Sequence, residues 1–467
     1  MRIAALAILL CTAPFAVAND FYVDPDHGSD AGDGSAAQPW RSLQAVFDDG
    51  FVETRDWPSY PYVPGMTLVT VNAGAPVRAG DTIWLRSGYH GDLVVADAYN
   101  SAPITIAAQP GQSPRIRSVL VRSAQNWILR DLVVSPSFAP TNEPLTMLSV
   151  ENHGWTGPSW DVDVDHCTLY SVADASAWGA NEWIDLASDG IYVGGDRVDV
   201  HDCSVRNVRF GIGVDGVDAR IRRNVVDGFS ADGLRGLGDG DVFEYNTIKN
   251  DYIGDELDAN HDDGFQSWSI GSDGQVGTGE VRDVVLRGNL FINAEDPGNP
   301  LRGTLQGIGC FDGLFVNWVV ENNVVITDHW HGISFYGMRD SRIVNNTVID
   351  LADGQPGPPW IGVFAHKDGR PSQRVVVRNN LATDYTLASE QITDDHNLVI
   401  ADAAALFVAP PFDLHLRAGA AAIDAGSSVL APGRDIEGRP RPQGAGVDLG
   451  AYERPVDAIF RDGFDQA

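Results

Sequence analysis

The segment from Asn260 to Trp268, NHDDGFQSW, gathers more reactive side chains than any other stretch of the chain. His261, Asp262 and Asp263 are consecutive there, Arg235 comes before them, and Arg302, His329, His331, His366 and Lys367 follow. Imidazole titrates near neutrality and an adjacent carboxylate orients it, so such a group is suited to moving protons in a general acid–base step. Arginine or lysine beside it can neutralise an anionic substrate group. An aspartate pair can hold a hard cation, which makes Asp232 and Asp263 candidate calcium ligands. A lone histidine is usually a packing residue, whereas four of them among paired acids and three cations point to a functional site.

For residues spread from 232 to 367 to meet, the chain must return to one place every few tens of residues. An asparagine column indicates that it does: RRN at Asn224, EYN at Asn246, RGN at Asn289, ENN at Asn323, VNN at Asn346 and RNN at Asn380, extended backwards by DHC at Cys167 and HDC at Cys203. Spacings of 21 to 43 residues announce a solenoid, in which each turn buries its apolar face only by stacking on the next. Amides stacked at one strand spacing hydrogen-bond along the column, so it is expected to set the register and do no chemistry. The N-x-T sequons at Asn246 and Asn346 fall inside it and carry no weight as glycan sites. Cys167 and Cys203 would lie ~4.8 Å apart on adjacent turns, close enough for a disulfide and equally for a pair of buried thiols.

A second column runs in step with the first: SDGIYVGG at 188, RFGIGVDG at 209, ADGLRGLG at 231, DDGFQSWS at 262, LQGIGCFD at 305, HGISFYGM at 331 and WIGVFAHK at 360. Its register is set by the apolar anchors Ile191, Ile212, Leu234, Phe265, Ile308 and Ile333. Two residues before each anchor stand Asp189, Phe210, Asp232, Asp263, Gln306 and His331; Tyr192, Arg235, Gln266 and Ser334 occur one residue after. Strand side chains alternate, so the anchor and the second residue after it point inward, and the first and third point out. Trp268, Phe311, Tyr336 and, with Ile361 as anchor, Phe364 would then form an outward stripe over four turns, about 14 Å long. Aromatic faces of that length suit roughly three sugar rings; the same rings could alternatively fill the interior. Arg235, Gln266, Trp268, Phe311, His329, Tyr336, His366 and Lys367 are accordingly the candidate substrate contacts, and His261, Asp262, Asp263, Arg302 and His331 the candidate catalytic set.

The termini and the charge bound the setting. MRIAALAILLCTAPFAVA has one positive charge at Arg2, an apolar run too short for a bilayer and an Ala16-Val17-Ala18 ending, the pattern of a secretory leader over 1–18. No later stretch reaches the roughly 20 apolar residues of a membrane helix. The formal charge of -32 becomes -33 without Arg2, which excludes a nucleic-acid phosphate binder. An exported monomer is expected. The excursions at 50–66, with Trp57, Tyr60 and Tyr62, and 171–187, with Trp178 and Trp183, are either binding walls or loops packed on the body.

YVDPDHGSDAGDG…PWRSLQAV, near the start of the mature chain, resembles the opening of many secreted right-handed parallel β-helix proteins. GDTIWLRSGYHGDLVV at 80–95 is similar to their first full turn, and AAIDAGSSVLAPGRDIEGRPRPQGAGVDLGAYE at 421–453 resembles their close. The resemblance implies an all-β, pectin-lyase-like solenoid of about eleven or twelve turns. It divides residues 19–454 into an N-terminal helical cap (19–50), coils (51–400) and a closing segment (401–454). A helix whose apolar positions are Leu43, Val46 and Phe47 would cover the first turn. The tail, 455–467, resembles an IF-x-DGF ending found on exported proteins of some Gram-negative bacteria.

Several families of this kind act on acidic polysaccharides as lyases or C5-epimerases. The resemblance therefore implies abstraction of a proton beside a uronate carboxylate, with Ca²⁺ or an arginine neutralising that carboxylate. Arg235 or Arg302 would meet the carboxylate, His261 or Lys367 would be the base, and His331 or Tyr336 the acid. The sequence lacks the DPH-type motif of bacterial alginate epimerases, and only Asp262-Asp263 and His331-Gly332 echo the motifs of β-helix galacturonases. A glycoside hydrolase using Asp262 or Asp263, and a non-catalytic glycan-binding or cell-surface solenoid, are the two alternatives.

Overall fold

Short apolar strands, broken by residues that tolerate left-handed backbone, give each turn three strands and three corners. The computed structural model describes residues 18–254, 257–258, 260–352, 355–389 and 391–455. The expected leader, apart from residue 18, and the tail beyond residue 455 lie outside the described residues. Strands of successive turns pair in parallel and build three faces. Face A runs through 93–96, 119–122, 148–151, 189–193, 212–214, 234–236, 263–268, 306–312, 333–336, 360–364 and 384–387, eleven rungs in all. Face B begins with Asp20–Val23 on Thr82–Leu85 and ends with Ile392–Asp395. Face C follows each face B strand and ends at Leu398–Val399. Among the described strands, antiparallel pairing is confined to Thr54–Asp56 of the first excursion, which pairs with Val69–Val71 and with Tyr99, and to a hairpin of Phe407–Ala409 with Asp413–Leu416.

The anchors expected from sequence are in register: Ile191 faces Ile212, then Leu234, Phe265, Ile308, Ile333 and Ile361 on successive rungs. All are buried in one continuous core extending from Val23 to Ala382. A glycine precedes each of the first six anchors, and the fold requires it. A Cβ on Gly211 would meet the Gly233 carbonyl oxygen at 2.2 Å, and one on Gly307 the Gly332 oxygen at 2.3 Å.

The corner between faces B and C is the asparagine column. The Asn246 backbone N–H and side-chain amide both donate to Asn289 Oδ1 at 3.0 Å, Asn289 does the same to Asn323, and the pattern continues through Asn346 and Asn380 to Asn397. Each amide from Asn224 to Asn397 also donates to a carbonyl of the preceding turn, as Asn289 does to Phe243 at 2.9 Å. Asn246 and Asn346 are buried, which leaves no room for a glycan. Cys167 and Cys203 take the same position as free thiols, not a disulfide: Cys203 Sγ accepts from the Cys167 N–H at 3.3 Å, and Cys203 N–H donates to Asn224 Oδ1 at 3.0 Å. The residue before each column member turns the corner with positive φ, for example His166 (53°), Asp202 (56°), Asn322 (57°), Asn345 (55°) and Asn379 (60°). Asparagine tolerates this region better than most residues, which accounts for the repeated Asn-Asn pairs.

At the N-terminus the helix Leu43–Asp48, whose Ser42 side chain accepts from Ala45 N–H, buries Leu43 and Val46 and sets Phe47 against Trp127 at 5.7 Å. Trp40 stacks between Phe21 (5.4 Å) and Phe51 (5.5 Å), so the cap seals the first turn. The closing segment instead folds back along the outside of face C. Its Leu406, Phe407, Leu414, Leu449 and Ala451 pack on Ile292, Ile326, Ile349 and Leu381. The outward asparagines of the B–C corner hold it: Asn322 donates to Arg434 O (2.8 Å), Asn345 to Asp448 O (3.0 Å) and Asn379 to Ser427 O (2.8 Å). Both excursions pack on the body through their tryptophans. Trp57 donates to Tyr99 Oη at 2.9 Å, and Trp183 stacks on Tyr252 at 4.4 Å. No helix among the described residues is long and apolar enough to cross a membrane.

Candidate active site

Face A carries the second column on its outer surface. Because glycine precedes the anchor, the residue two before it turns back onto that surface and meets the residue one after it. Arg235 Nε donates to Asp232 Oδ2 at 3.0 Å, Gln266 Nε2 to Asp263 Oδ2 at 2.9 Å, and His331 Nδ1 lies 2.9 Å from Ser334 Oγ. Asp232 and Asp263 sit on adjacent rungs, joined by the Asp263 N–H donating to Asp232 Oδ1 at 3.2 Å. On the next rung the position after the anchor is Gly309. A Cβ there would stand 2.0 Å from Asp263 Oδ1 and 2.6 Å from the Phe311 ring, so its absence makes the space into which this carboxyl leans.

Neither carboxyl has the environment of a surface aspartate. Asp263 is 0 % exposed and its Oδ1 has no hydrogen-bond partner. Burial, reinforced by the Asp232 charge, pushes its pKa well above the usual carboxylate range. Burial also raises Asp232, to about 6, against the opposing pull of Arg235. This is the pattern of a carboxyl pair that resists double ionisation. Asp262 is buried beside it and accepts from Asn260 Nδ2 at 3.1 Å.

Two rungs beyond Asp263, His331 lies against Phe311 (4.8 Å between ring centroids), His329 (5.1 Å) and Trp360 (5.4 Å). Burial and the neighbouring His329 and His261 push its pKa down to about 3, so it is neutral at physiological pH. His329 Nδ1 accepts the His331 N–H at 3.0 Å. The expected aromatic stripe is outward and continuous from Phe311 to Tyr336 (5.6 Å) to Phe364 (4.7 Å). Its fourth member departs, because the register shifts between Ser267 and Trp268, and the Trp268 ring lies instead over the Arg235 guanidinium at 4.8 Å.

The remaining candidates divide. Arg302 pairs with Asp328 at 2.7 Å and, with His329, Trp330 and Thr304, lines a cavity of about 510 Å³ at the corner leading into face A. His261 is exposed on the approach to Asp263. Lys367 reaches Asp312 at 2.8 Å. His366 does not belong to the groove: it is buried in the 366–370 turn, where its Nδ1 accepts the Asp368 N–H at 3.3 Å. The expected calcium pair brings two carboxylates to adjacent rungs, Asp232 already bonded to Arg235, whereas Ca²⁺ takes 6–8 oxygen ligands. Trp360, which donates to Ser334 Oγ at 2.9 Å, was missed from sequence. Its signal was the break in the glycine column, where Trp360 precedes Ile361.

Residues 189–384 match the family model for the right handed beta helix region. The solenoid is a right-handed parallel β-helix. Among solved structures, the GH136 lacto-N-biosidase of Eubacterium ramulus is 14% identical over 80% of this chain and 68% of that one (TM-score 0.44). The mannuronan C-5 epimerase AlgE6 A-module of Azotobacter vinelandii is 12% identical over 71% and 91% (0.44), and the pectate lyase Pel9A 15% over 94% and 98% (0.37). Likenesses this distant carry no argument about the chemistry of the β-helix described here. No curated protein matches its sequence.

Proposed function

We propose that this β-helix is an exported glycan-cleaving enzyme that works at the outer surface of face A, with Asp263 as general acid and Asp232 as its ionised partner. The observation that carries the reading is the pair itself: two buried carboxyls on adjacent rungs whose surroundings separate their proton affinities, the arrangement that assigns acid and base roles in carbohydrate chemistry. Asp263 in its protonated form would give its proton to the leaving glycosidic oxygen. Asp232, kept anionic by Arg235, would face the anomeric carbon. Adjacent rungs are ~4.8 Å apart, shorter than the ~6.5–9.5 Å that an inverting pair needs and nearer the ~5–5.5 Å of a nucleophile and acid/base couple. Phe311, Tyr336 and Phe364 offer flat faces for neighbouring sugars. Because Asp263 is fully covered, sugar entry requires neighbouring side chains to move aside.

The lyase or epimerase reading expected from the sequence is weakened by the fate of its cations. Arg235, Arg302 and Lys367 each already hold a carboxylate, so none is reserved for a uronate. It is kept as the second reading because Arg302 lines the cavity beside His329 and retains guanidinium edge beyond its contact with Asp328. Incubation with a panel of neutral and uronate glycans separates the two. Release of reducing ends without new absorbance from a 4,5-double bond, abolished in Asp263→Asn, is the expected result. Accumulation of unsaturated product would overturn the hydrolytic reading in favour of elimination, and inertness toward every glycan would favour a binding role.

A further inference from the structure

Away from face A, the first two members of the B–C corner reverse their order, Asp165-His166 on one turn and His201-Asp202 on the next. Asp165 and His201 are paired across the ladder, so each carboxylate has an imidazole both along the chain and across it. His201 Nδ1 lies 3.3 Å from Asp165 Oδ1 and 2.7 Å from Asp202 Oδ2. His166 Nδ1 contacts the same Asp165 Oδ1. One atom from each of the four residues lies within 4.8 Å of all the others.

A third carboxylate stands behind the His201 ring, with Nε2 3.1 Å from Asp163 Oδ1. When a metal displaces the proton that Nδ1 shares with Asp202, this contact keeps the other ring proton on Nε2, the carboxylate–histidine relay that supports metal-binding imidazoles. Both carboxylates are also held by guanidinium groups: Arg130 Nε donates to Asp165 Oδ2 at 2.6 Å, leaving Oδ1 facing inward, and Arg223 donates to Asp202 Oδ1 at 2.7 Å and to Oδ2 at 2.6 Å, so Oδ2 would be shared between the metal and this guanidinium.

We propose that His166 Nδ1, His201 Nδ1, Asp165 Oδ1 and Asp202 Oδ2 form a four-coordinate site for a divalent transition metal of the Zn²⁺ class, clamping two consecutive turns. Two imidazoles with two carboxylates suit such an ion, whereas Ca²⁺ and Mg²⁺ take all-oxygen shells of higher coordination number. In a tetrahedron with bonds of ~2.0–2.2 Å the ligand atoms stand about 3.3–3.6 Å apart, which the 3.3 Å between His201 Nδ1 and Asp165 Oδ1 meets and to which the 2.7 Å between His201 Nδ1 and Asp202 Oδ2 would open. The site is remote from the proposed acid pair, so its role is to tie turns together and not to take part in the reaction.

The test is calorimetric titration of the chelator-treated full chain with Zn²⁺, Ca²⁺ and Mg²⁺, with Co²⁺ absorbance as a second readout. The proposal expects saturable one-to-one Zn²⁺ uptake, tetrahedral Co²⁺ bands, and a melting temperature raised by about 3 °C at a hundredfold excess over Kd. All three should be lost in His166→Ala/His201→Ala. Asp163→Asn, which leaves the ligands in place, should weaken uptake by roughly 10–100-fold; it decides the matter alone if the double variant fails to fold. Absence of saturable Zn²⁺ uptake, Zn²⁺ binding unchanged in these variants, or Ca²⁺ bound as tightly would overturn it.

Discussion

Two buried polar columns run along this β-helix at the same spacing, and they differ in what they leave undone. In the asparagine column every amide from Asn224 to Asn380 donates to the next turn and accepts from the one before, and no charge is involved. On face A the corresponding stack changes chemistry at each rung, places two carboxyls side by side and leaves Asp263 Oδ1 without a partner. A saturated neutral ladder stabilises and specifies register. A buried carboxyl that is left short of partners costs stability, and such costs are concentrated where function needs them.

The largest expected effect tests the reactive column. Asp263→Asn should lower turnover by about 10³-fold, within the range for loss of a general acid, while the melting temperature holds or rises because a buried ionisable group has been removed. A loss of stability proportional to the loss of activity would make Asp263 a structural residue and erase the contrast. Asn289→Ala tests the other column. Breaking the ladder in its middle should cost about 3 kcal/mol in denaturant unfolding, from a lost bond and an unsatisfied neighbour, with unchanged activity per folded molecule.

Titration sharpens the comparison further. The folded-state pKa of Asp232, about 6, lies above the ordinary 3.8, so between these values the native protein binds a proton that the unfolded chain releases. Its unfavourable contribution is fully present above pH 6 and is relieved as pH falls from 7 towards 4, an effect on the order of 2 kcal/mol. Asp241, raised to about 8 by burial, acts in the same direction. The slope of stability against pH should flatten in Asp232→Asn and stay unchanged in Asn289→Ala. The smallest effect is expected at the end of the aromatic stripe, where Phe364→Ala should raise KM about fivefold, roughly 1 kcal/mol of stacking, with little change in kcat.

What was legible in the sequence was whatever repeats. Anchors, glycines and asparagines recur because each turn poses the same packing problem, so their alignment fixed which residues share a rung. What was not legible was how unlike side chains on neighbouring rungs would choose partners. Arg235 with Asp232, Arg302 with Asp328 and Lys367 with Asp312 are tertiary choices that no period encodes, and they engage the cations on which the elimination reading relied. The single-residue shift at Trp268 was hidden for the same reason: one extra residue in a strand leaves the motif intact and redirects a ring. The path of the closing segment along face C depends on outward asparagines whose role could not be told from that of their inward neighbours.

That path has a consequence for the length of the molecule. A solenoid held only by nearest-neighbour contacts can gain or lose a turn without disturbing the remainder. Here Asn322, Asn345 and Asn379 on three successive turns hold backbone carbonyls at 434, 448 and 427, and Arg441 and Glu453, nearly solvent-free, close the segment with an ion pair of 2.9 Å. The segment therefore acts as a ruler laid against the stack. Inserting or deleting one turn between residues 322 and 379 would put its marks out of step, so this stretch is fixed in number while the turns before it remain free to vary.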